Sequence, residues 1–439
     1  MSEEQQPTAA TASRGAKGRA SSTEALGAKS RASSAEAPEG AQAGYKKTKL
    51  GWIPEEWEVN TVKSLGKIIT GRTPSTGNPD YYGGDYPFAG PSDLGKKYVS
   101  NTLKSLTESG WRQVRPLPKG TILCTCIGST IGKMSIASAL MSTNQQINAV
   151  IVSGGHDPEY AYHALMQIAP NMRLLAGEQA VPMLNKKDFS ALKIVLPPLP
   201  EQHRIAAILG TWDRAIATVQ QLLAAQQKRK RGLMQELLSG IYHRVKKVDI
   251  GSVATEVTVR NVDNAEYPVL SCSKHVGFVS SLEYFKKQVY SDDRSNYKVI
   301  RKGQFGFPAN HIEEGSIDLL RIHDIGVVSP IYVIFEFDGE SVNSEFMRYL
   351  FKTERYRHIF STSTNASVDR RGSLRWKDFQ TIAVPLPHKQ EQDRIANVFQ
   401  RLDALIESQE ALLTRLTAQK RGLMQQLLTG RVRVKHSIQ

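Results

Sequence analysis

The chain has 439 residues, 23% of them charged, with a net charge of +15 and three cysteines. That length suggests two or three domains of ordinary soluble character, and three cysteines, Cys124, Cys126 and Cys272, are too few for a disulfide framework. With no apolar run near about 18 residues and no charged-then-apolar leader at Met1, neither a membrane span nor a secretory signal is expected. The basic surplus favours a polyanionic partner.

Residues 1–44 are Ala, Ser, Gly, Thr and Glu with almost nothing large and apolar, so they read as a disordered tail. Its basic residues Arg14, Lys17, Arg19, Lys29 and Arg31 balance Glu3, Glu4, Glu24, Glu36 and Glu39, which leaves the surplus on the folded body. A first globule, 45–187, starts its core at Leu50, Trp52, Ile53 and Trp57. Val62 to Thr70 reads as a short helix or strand, and Gly71-Arg-Thr-Pro-Ser-Thr-Gly-Asn-Pro as a long polar loop. Strands are expected at Thr121 to Ile127, Lys133 to Ala137 and Gln146 to Val152, and a helix from Pro158 to Ile168. A second globule, 241–377, repeats that order in a diverged sequence. Ile250-Gly-Ser-Val-Ala-Thr echoes Leu65-Gly-Lys-Ile-Ile-Thr, Lys302-Gly303 echoes Lys119-Gly120, a strand is expected at Ile325 to Phe337, and a helix at Ser344 to Tyr356.

Each globule is followed by the same segment. Residues 188–240 match 378–430 without a gap, identical at about two positions in five; 431–439 is a short C-terminal tail. Both copies read as a short strand (Leu192 to Leu196; Ile382 to Leu386), a proline cluster that enforces an extended entry, and a long helix opened by Glu-Gln. Heptad positions Ile205, Trp212, Val219, Gln226 and Leu233, with Leu209, Ile216, Leu223 and Leu237, recur as Ile395, Leu402, Gln409, Leu416 and Leu423 with Phe399, Ile406, Leu413 and Leu427. A homodimeric coiled coil fits this pattern, but two matching seams in one chain favour an intramolecular pair. Gly240 and Gly430 are expected to end the helices in the left-handed conformation. Gly232 and Gly422 lie inside them, where glycine costs about 1 kcal/mol relative to alanine, so a close backbone approach is expected there.

No catalytic constellation emerges. Gly128-Ser-Thr-Ile-Gly132-Lys133-Met134 is one residue short of a phosphate loop and has Met where a Mg²⁺-binding hydroxyl belongs. Asn78-Pro79-Asp80-Tyr81 approaches the Asn-Pro-Pro-Tyr of amino-methyltransferases, without a glycine-rich cofactor loop beside it. The histidines form neither a metal pair nor a triad, so no metal site is expected. Polar loops remain: Arg72, Ser75, Thr76 and Asn78; Lys96 and Lys97; Thr130 and Lys133; Asn144 and Gln145; and in the second globule Lys274, His275, Arg294, Asn310, His311, Arg370 and Arg371. Arg and Lys suit guanine edges and phosphates, Asn and Gln suit adenine.

The arrangement resembles the specificity (S) subunit of type I restriction-modification systems. The resemblance is carried by Leu196-Pro-Pro-Leu-Pro-Glu-Gln-His-Arg-Ile-Ala with Asp213 and the Lys230-Arg-Gly-Leu-Met-Gln-Glu-Leu-Leu-Ser-Gly end, and by their second copies through Glu391-Gln-Asp-Arg-Ile-Ala, Asp403 and Lys420 to Gly430. Gly71-Arg-Thr-Pro-Ser, Tyr82-Gly-Gly-Asp-Tyr-Pro, Ile127-Gly and Asn144-Gln145 add to it. It implies an α+β chain: two mixed target-recognition domains joined by two long antiparallel helices in a pseudo-two-fold repeat. Each domain would read one half of a bipartite, asymmetric DNA site. The helices, with Glu201, Gln202, Arg204, Asp213 and Gly232 in one and Glu391, Gln392, Arg394, Asp403 and Gly422 in the other, would space the domains and dock two methyltransferase (M) subunits, which restriction (R) subunits join. The chain itself would be non-catalytic and cofactor-free, with S-adenosylmethionine, ATP and Mg²⁺ in the partner subunits and a cytoplasmic, nucleoid-associated location. A self-contained adenine methyltransferase built on Asn78 to Tyr81 and a coiled-coil adaptor that binds no DNA are the other readings.

Overall fold

The computed structural model describes residues 44–177, 180–364 and 373–434; most of the expected tail, 1–43, together with Arg370 and Arg371, lies outside the described residues. The chain divides into two compact units, one up to Leu209 together with the part from Gly422 onward, the other Gly210–Arg421. The divisions therefore fall within the two long helices, not at the ends of the repeated segments.

The first unit is built on a five-stranded sheet in the order Gly66–Thr70, Ile147–Val152, Ile122–Thr125, Met134–Ala137, Tyr98–Val99, all pairs antiparallel except the last. Val62 to Thr70 is both of the forms expected, a 3₁₀ turn at Val62–Leu65 and then a strand. The helix after Pro158 runs to Leu175, beyond the expected end at Ile168, and carries Pro170 in its interior. The proline removes one donor, and the surrounding packing, with Met172 and Ala176 buried, carries the helix through. In the second unit the strands Ala254–Glu256, Tyr332–Phe337, Phe305–Pro308 and Asp318–Leu319 form a sheet in the corresponding order. The segment from Ile325 to Phe337 is two strands, Ile325–Val328 and Tyr332–Phe337, with Pro330 in the turn between them. Likewise the expected helix from Ser344 to Tyr356 is two, Ser344–Phe351 and Glu354–Ser363, the second opened by Thr353, whose hydroxyl accepts from the Tyr356 amide. The two cores differ: the first is mostly aliphatic, whereas the second stacks Phe305, Phe307, Phe335, Phe351, Phe360 and Phe379.

Each repeated segment is sewn to its globule in the same way. Lys193–Leu196 pairs antiparallel with Glu58–Thr61, and Ala383–Pro385 with Lys247–Asp249. The long helices follow at Leu199–Leu233 and Lys389–Leu427, the second about 58 Å long at 1.5 Å per residue. At each entry a buried glutamine closes the junction. The Gln202 amide donates to the Pro197 carbonyl at 2.8 Å while its oxygen accepts from the Asp157 backbone at 3.0 Å. Gln392 does the same with Pro387 and Asn343, both at 2.8 Å, and donates as well to Ser341 at 3.0 Å. Asp157 and Asn343 are the N-caps of the globular helices, so one side chain ties the start of the long helix to the start of a domain helix.

Within the second unit the long helices run antiparallel, fixed by mirrored ion pairs, Lys230 to Asp403 and Lys420 to Asp213. The seam positions are buried or half-buried and most residues between them exposed, and the side-chain oxygens of Gln226 and Gln409 are buried without a hydrogen-bond partner, polar marks that fix register at some cost in stability. Two expectations fail. Gly240 does not end its helix: a π segment, Met234–Leu238, shifts the register and a further helix continues through Ser239–Arg244, whereas Gly430 does turn left-handed at φ +72°. Gly232 and Gly422 meet no close backbone, since a Cβ at either would have nothing within 4 Å.

Gly232→Ala and Gly422→Ala should therefore each stabilise the chain by up to about 1 kcal/mol in urea unfolding; a loss of stability would show a constraint at these positions. Gln392→Glu should destabilise the second unit by about 2 kcal/mol, since it turns the donor that serves Pro387 and Ser341 into an acceptor, whereas an exposed Gln425→Glu in the same helix should change little.

Candidate nucleic-acid interface

In the first globule the fold joins candidates that are some 70 residues apart. Gly71 is pressed against the chain at Thr143 and Asn144, where a Cβ would lie 2.0 Å from the Asn144 carbonyl, so only glycine fits. The Gly71 and Arg72 amides donate to Ile147 and Thr143 at 3.0 and 2.9 Å, and the Thr73 hydroxyl meets the Gln145 side chain. Arg72, Ser75, Thr76 and Gln145 are thereby exposed on one surface, beside a half-buried Asn144 that bonds Gln146. The turn carrying Thr130 and the exposed Lys133 borders it, a Cβ on Gly128 falling 3.9 Å from the Gln146 amide. Asn78 caps a 3₁₀ turn, accepting from the Asp80 amide at 3.1 Å. Lys96 is exposed, but Lys97 is only 13% exposed and pairs with Glu159 at 2.5 Å, so its charge is spent on holding the domain helix. A neighbouring cleft is lined by Tyr81, Thr107, Ser109, Arg112 and Gln113, of which the sequence had singled out Tyr81 alone. Beside it Gly110 packs onto the Tyr81 backbone, where a Cβ would lie 2.1 Å from the carbonyl oxygen.

The candidates of the second globule form two groups. Lys274 and His275 sit exposed in the turn of the hairpin Leu270–Ser273 and Gly277–Ser280, and Lys274 and His311 approach Glu314 at 3.8 and 3.7 Å, with Asn310 half-buried before His311. The ligand-type atoms of His311, Glu313 and Glu314 lie within 4.8 Å of one another, with His311 and Glu314 exposed and Glu313 half-buried. Arg294 lies apart, its backbone bonded to Asn264 and Tyr297. A cavity of about 400 Å³ is lined by Lys230, Lys274, His275, Arg348, Lys352 and Arg357 with Glu314, Asp318 and Glu354. Its wall is a charge chain: Asp318, 4% exposed, takes Arg348 at 2.8 Å and Lys352 at 3.3 Å, and Arg348 reaches Asp403 at 3.8 Å. Burial works against the Arg348 charge, but Asp318 and Glu345 outweigh it and hold its pKa above the usual arginine value. Burial, and next the hydrogen bond to Asp403, push the Tyr349 hydroxyl up.

The residues marked on the helices divide by burial. Glu201 is 3% exposed and is held inside by both arms of Arg433, at 2.9 and 3.0 Å, and by the Trp57 indole at 2.9 Å. Gln202 and Gln392 close the helix entries. These three bind helix to globule and present no side chain to a partner, because their polar atoms are consumed within the chain. Arg204 is half-buried and donates to the Val434 carbonyl at 3.0 Å, and Asp213 and Asp403 bridge the two helices. Arg394, Gly232 and Gly422 are exposed and Glu391 half-buried, with Glu391 and Arg394 flanking a cleft that also holds Arg244 and His388. Among the described residues no helix is long and apolar enough to cross a membrane.

Residues 54–225 and 321–418 match the family described as the type I restriction modification DNA specificity domain. The specificity subunit of the type I restriction enzyme MjaVIII of Methanocaldococcus jannaschii is 26% identical over 88% of this chain and 95% of its own length. That of HindI of Haemophilus influenzae is 33% identical over 33% of each chain. In structure, the S subunit of a type I restriction-modification system from M. genitalium superposes with a TM-score of 0.55 over 85% of this chain and 96% of its own, at 16% identity. A chain from a study of type I complex assembly and conformational transition gives 0.52 over 87% and 99%, also at 16%. The family match spans well over half of the sequence, in two stretches that between them take in most of both repeated segments: the chain belongs to the type I restriction-modification DNA specificity family and is the DNA-recognition subunit of such a system.

Proposed function

We propose that each globule reads one half of a bipartite, asymmetric DNA site, and that the paired helices space the two readers and dock two methyltransferase subunits, to which restriction subunits are added. The observation that carries this reading is the doubling itself. Two globules of like strand order but different sequence and different cores are each fastened by the same glutamine to nearly the same helix. A shared helix suits a common partner, and divergent globules suit two different sequences. Antiparallel pairing supports a pseudo-two-fold arrangement, as a symmetric dimer offers on a palindrome, but with unlike readers.

In this reading the chain supplies the address and its partners the chemistry. S-adenosylmethionine, ATP and Mg²⁺ belong to the partner subunits, and the chain works in the cytoplasm on the nucleoid. Asn78 supports the assignment against a self-contained methyltransferase, since its side-chain oxygen is engaged as the cap of its own turn.

Replacing residues 45–187 by the matching block of a relative should alter one half of the methylated motif and leave the other half intact, as read by methylome sequencing. A change in both halves, or in neither, would refute the assignment of one globule to one half-site. The purified chain should transfer no methyl group from radiolabelled S-adenosylmethionine to DNA until methyltransferase subunits are added; turnover by the chain alone would overturn the division of labour.

A further inference from the structure

In the second globule a five-residue helix, Ser281–Phe285, follows the hairpin that carries Lys274. Ser281 is buried, but Leu282, Tyr284, Phe285 and Val289 are 50%, 50%, 44% and 49% exposed. The Tyr284 and Phe285 rings meet edge to face at 5.0 Å, forming one apolar projection. The chain leaves the helix through Lys286 at φ +55°, in the left-handed region that non-glycine residues seldom occupy. Lys286 and Lys287 are both exposed beside the rings.

The first globule has the corresponding helix, Glu108–Trp111, which also ends in an aromatic residue followed by a base, Trp111-Arg112. There the aromatic is used internally, stacked on Tyr86 at 4.8 Å. The second globule leaves its aromatics uncovered, so its own packing does not account for them. Charge indicates what covers them: from Leu270 to Lys302 the chain has seven Lys and Arg against three acidic residues. The exposed apolar group of the first globule, Leu174, Leu175, Val181 and Met183, has no aromatic and no such surplus.

We propose that Tyr284 and Phe285 form a wedge that enters a base step of double-stranded DNA at the second half-site, with Lys286 and Lys287 on the flanking phosphates. This rests on the reading of the chain as a DNA-recognition subunit. Apolar side chains inserted between base pairs unstack them and kink the duplex. Pyrimidine–purine steps unstack most easily, so the wedge selects sequence through deformability, without a hydrogen bond to a base edge.

The test uses the full chain assembled with its methyltransferase subunits on duplexes carrying its methylation motif, with 2-aminopurine placed in turn at each position of the second half-site. The wild-type complex should raise fluorescence at one step. Tyr284→Ala with Phe285→Ala should abolish that rise and weaken binding on the order of tenfold to a hundredfold, with the salt slope unchanged. Lys286→Ala with Lys287→Ala should lower the slope of log K against log salt by about 1.8. Phe285→Leu, which keeps an apolar wedge, should retain most of the fluorescence rise, separating a wedge from a misfolded loop. Salt-dependent binding by wild type with no unstacked step, or an aromatic double variant that binds and unstacks as wild type does, would overturn the wedge alone. Loss of subunit assembly without DNA in the double variant would overturn it in favour of a protein interface. A wild-type complex with no salt-dependent DNA binding would overturn the recognition reading itself.

Discussion

A single carboxamide, used twice, holds this chain together. At the entry to a long helix the carbonyl before the first turn and the amide of a neighbouring helix cap are both without regular partners, and they need a donor and an acceptor side by side. Glutamine alone among side chains of that reach offers both. Gln202 and Gln392 each supply the pair from inside the protein, 2% and 0% exposed. From that point the strand before the helix pairs with its globule, and the helix leaves with its apolar stripe aimed at the other helix. Had either residue been glutamate, a carboxylate would face carbonyl oxygens in a buried site.

Electrostatics then separates charges held in internal pairs from those exposed on the loops. Glu201 is neutralised by Arg433, which brings the C-terminal part of the chain back onto the first unit; Tyr45 reinforces this by donating to the Gly430 carbonyl at 2.9 Å. Removing one member of such a buried pair leaves an uncompensated charge, which costs about 3 to 5 kcal/mol. Lys97, Arg348, Lys230 and Lys420 are likewise engaged in internal pairs. The loop cations Arg72, Lys96, Lys133 and Lys286 are exposed. Each internal pair takes one cation and one anion, so these pairs leave the net charge of +15 unchanged.

The division of labour between helix and globule has a physical basis. The helices carry a seam whose register depends on both partners at once, so a change in one must be matched in the other; paired Asp–Lys bridges and buried glutamines make this stricter. The globules need only keep a strand order and a closed core. An aliphatic core and a phenylalanine core both satisfy that requirement, which leaves the loops above them free to differ.

The sequence by itself determined the repeat, the two long helices and the mixed globules, because heptad periodicity, proline punctuation and a 53-residue match are local or directly comparable signals; the antiparallel direction of the helices is fixed by the cross-helix ion pairs. The sequence also marked Arg72 and Gln145 as polar loop residues, and both are exposed, but it did not show that the close packing of Gly71 would bring their loops together. Where it failed, the deciding contact was remote. The end expected at Gly240 was overridden by a π segment and by packing of Leu238 and Ile241; the end expected at Ile168 was overridden by the core beneath the helix; the approach expected at Gly232 and Gly422 has no counterpart within the chain. Only the tertiary structure decided that Glu201, Gln202 and Gln392 face inward, that Lys97 is spent on Glu159, and that Tyr284 and Phe285 are uncovered while Trp111 is stacked. Burial and pairing are properties of what lies across the fold from a residue, and a residue's neighbours in sequence do not carry that information.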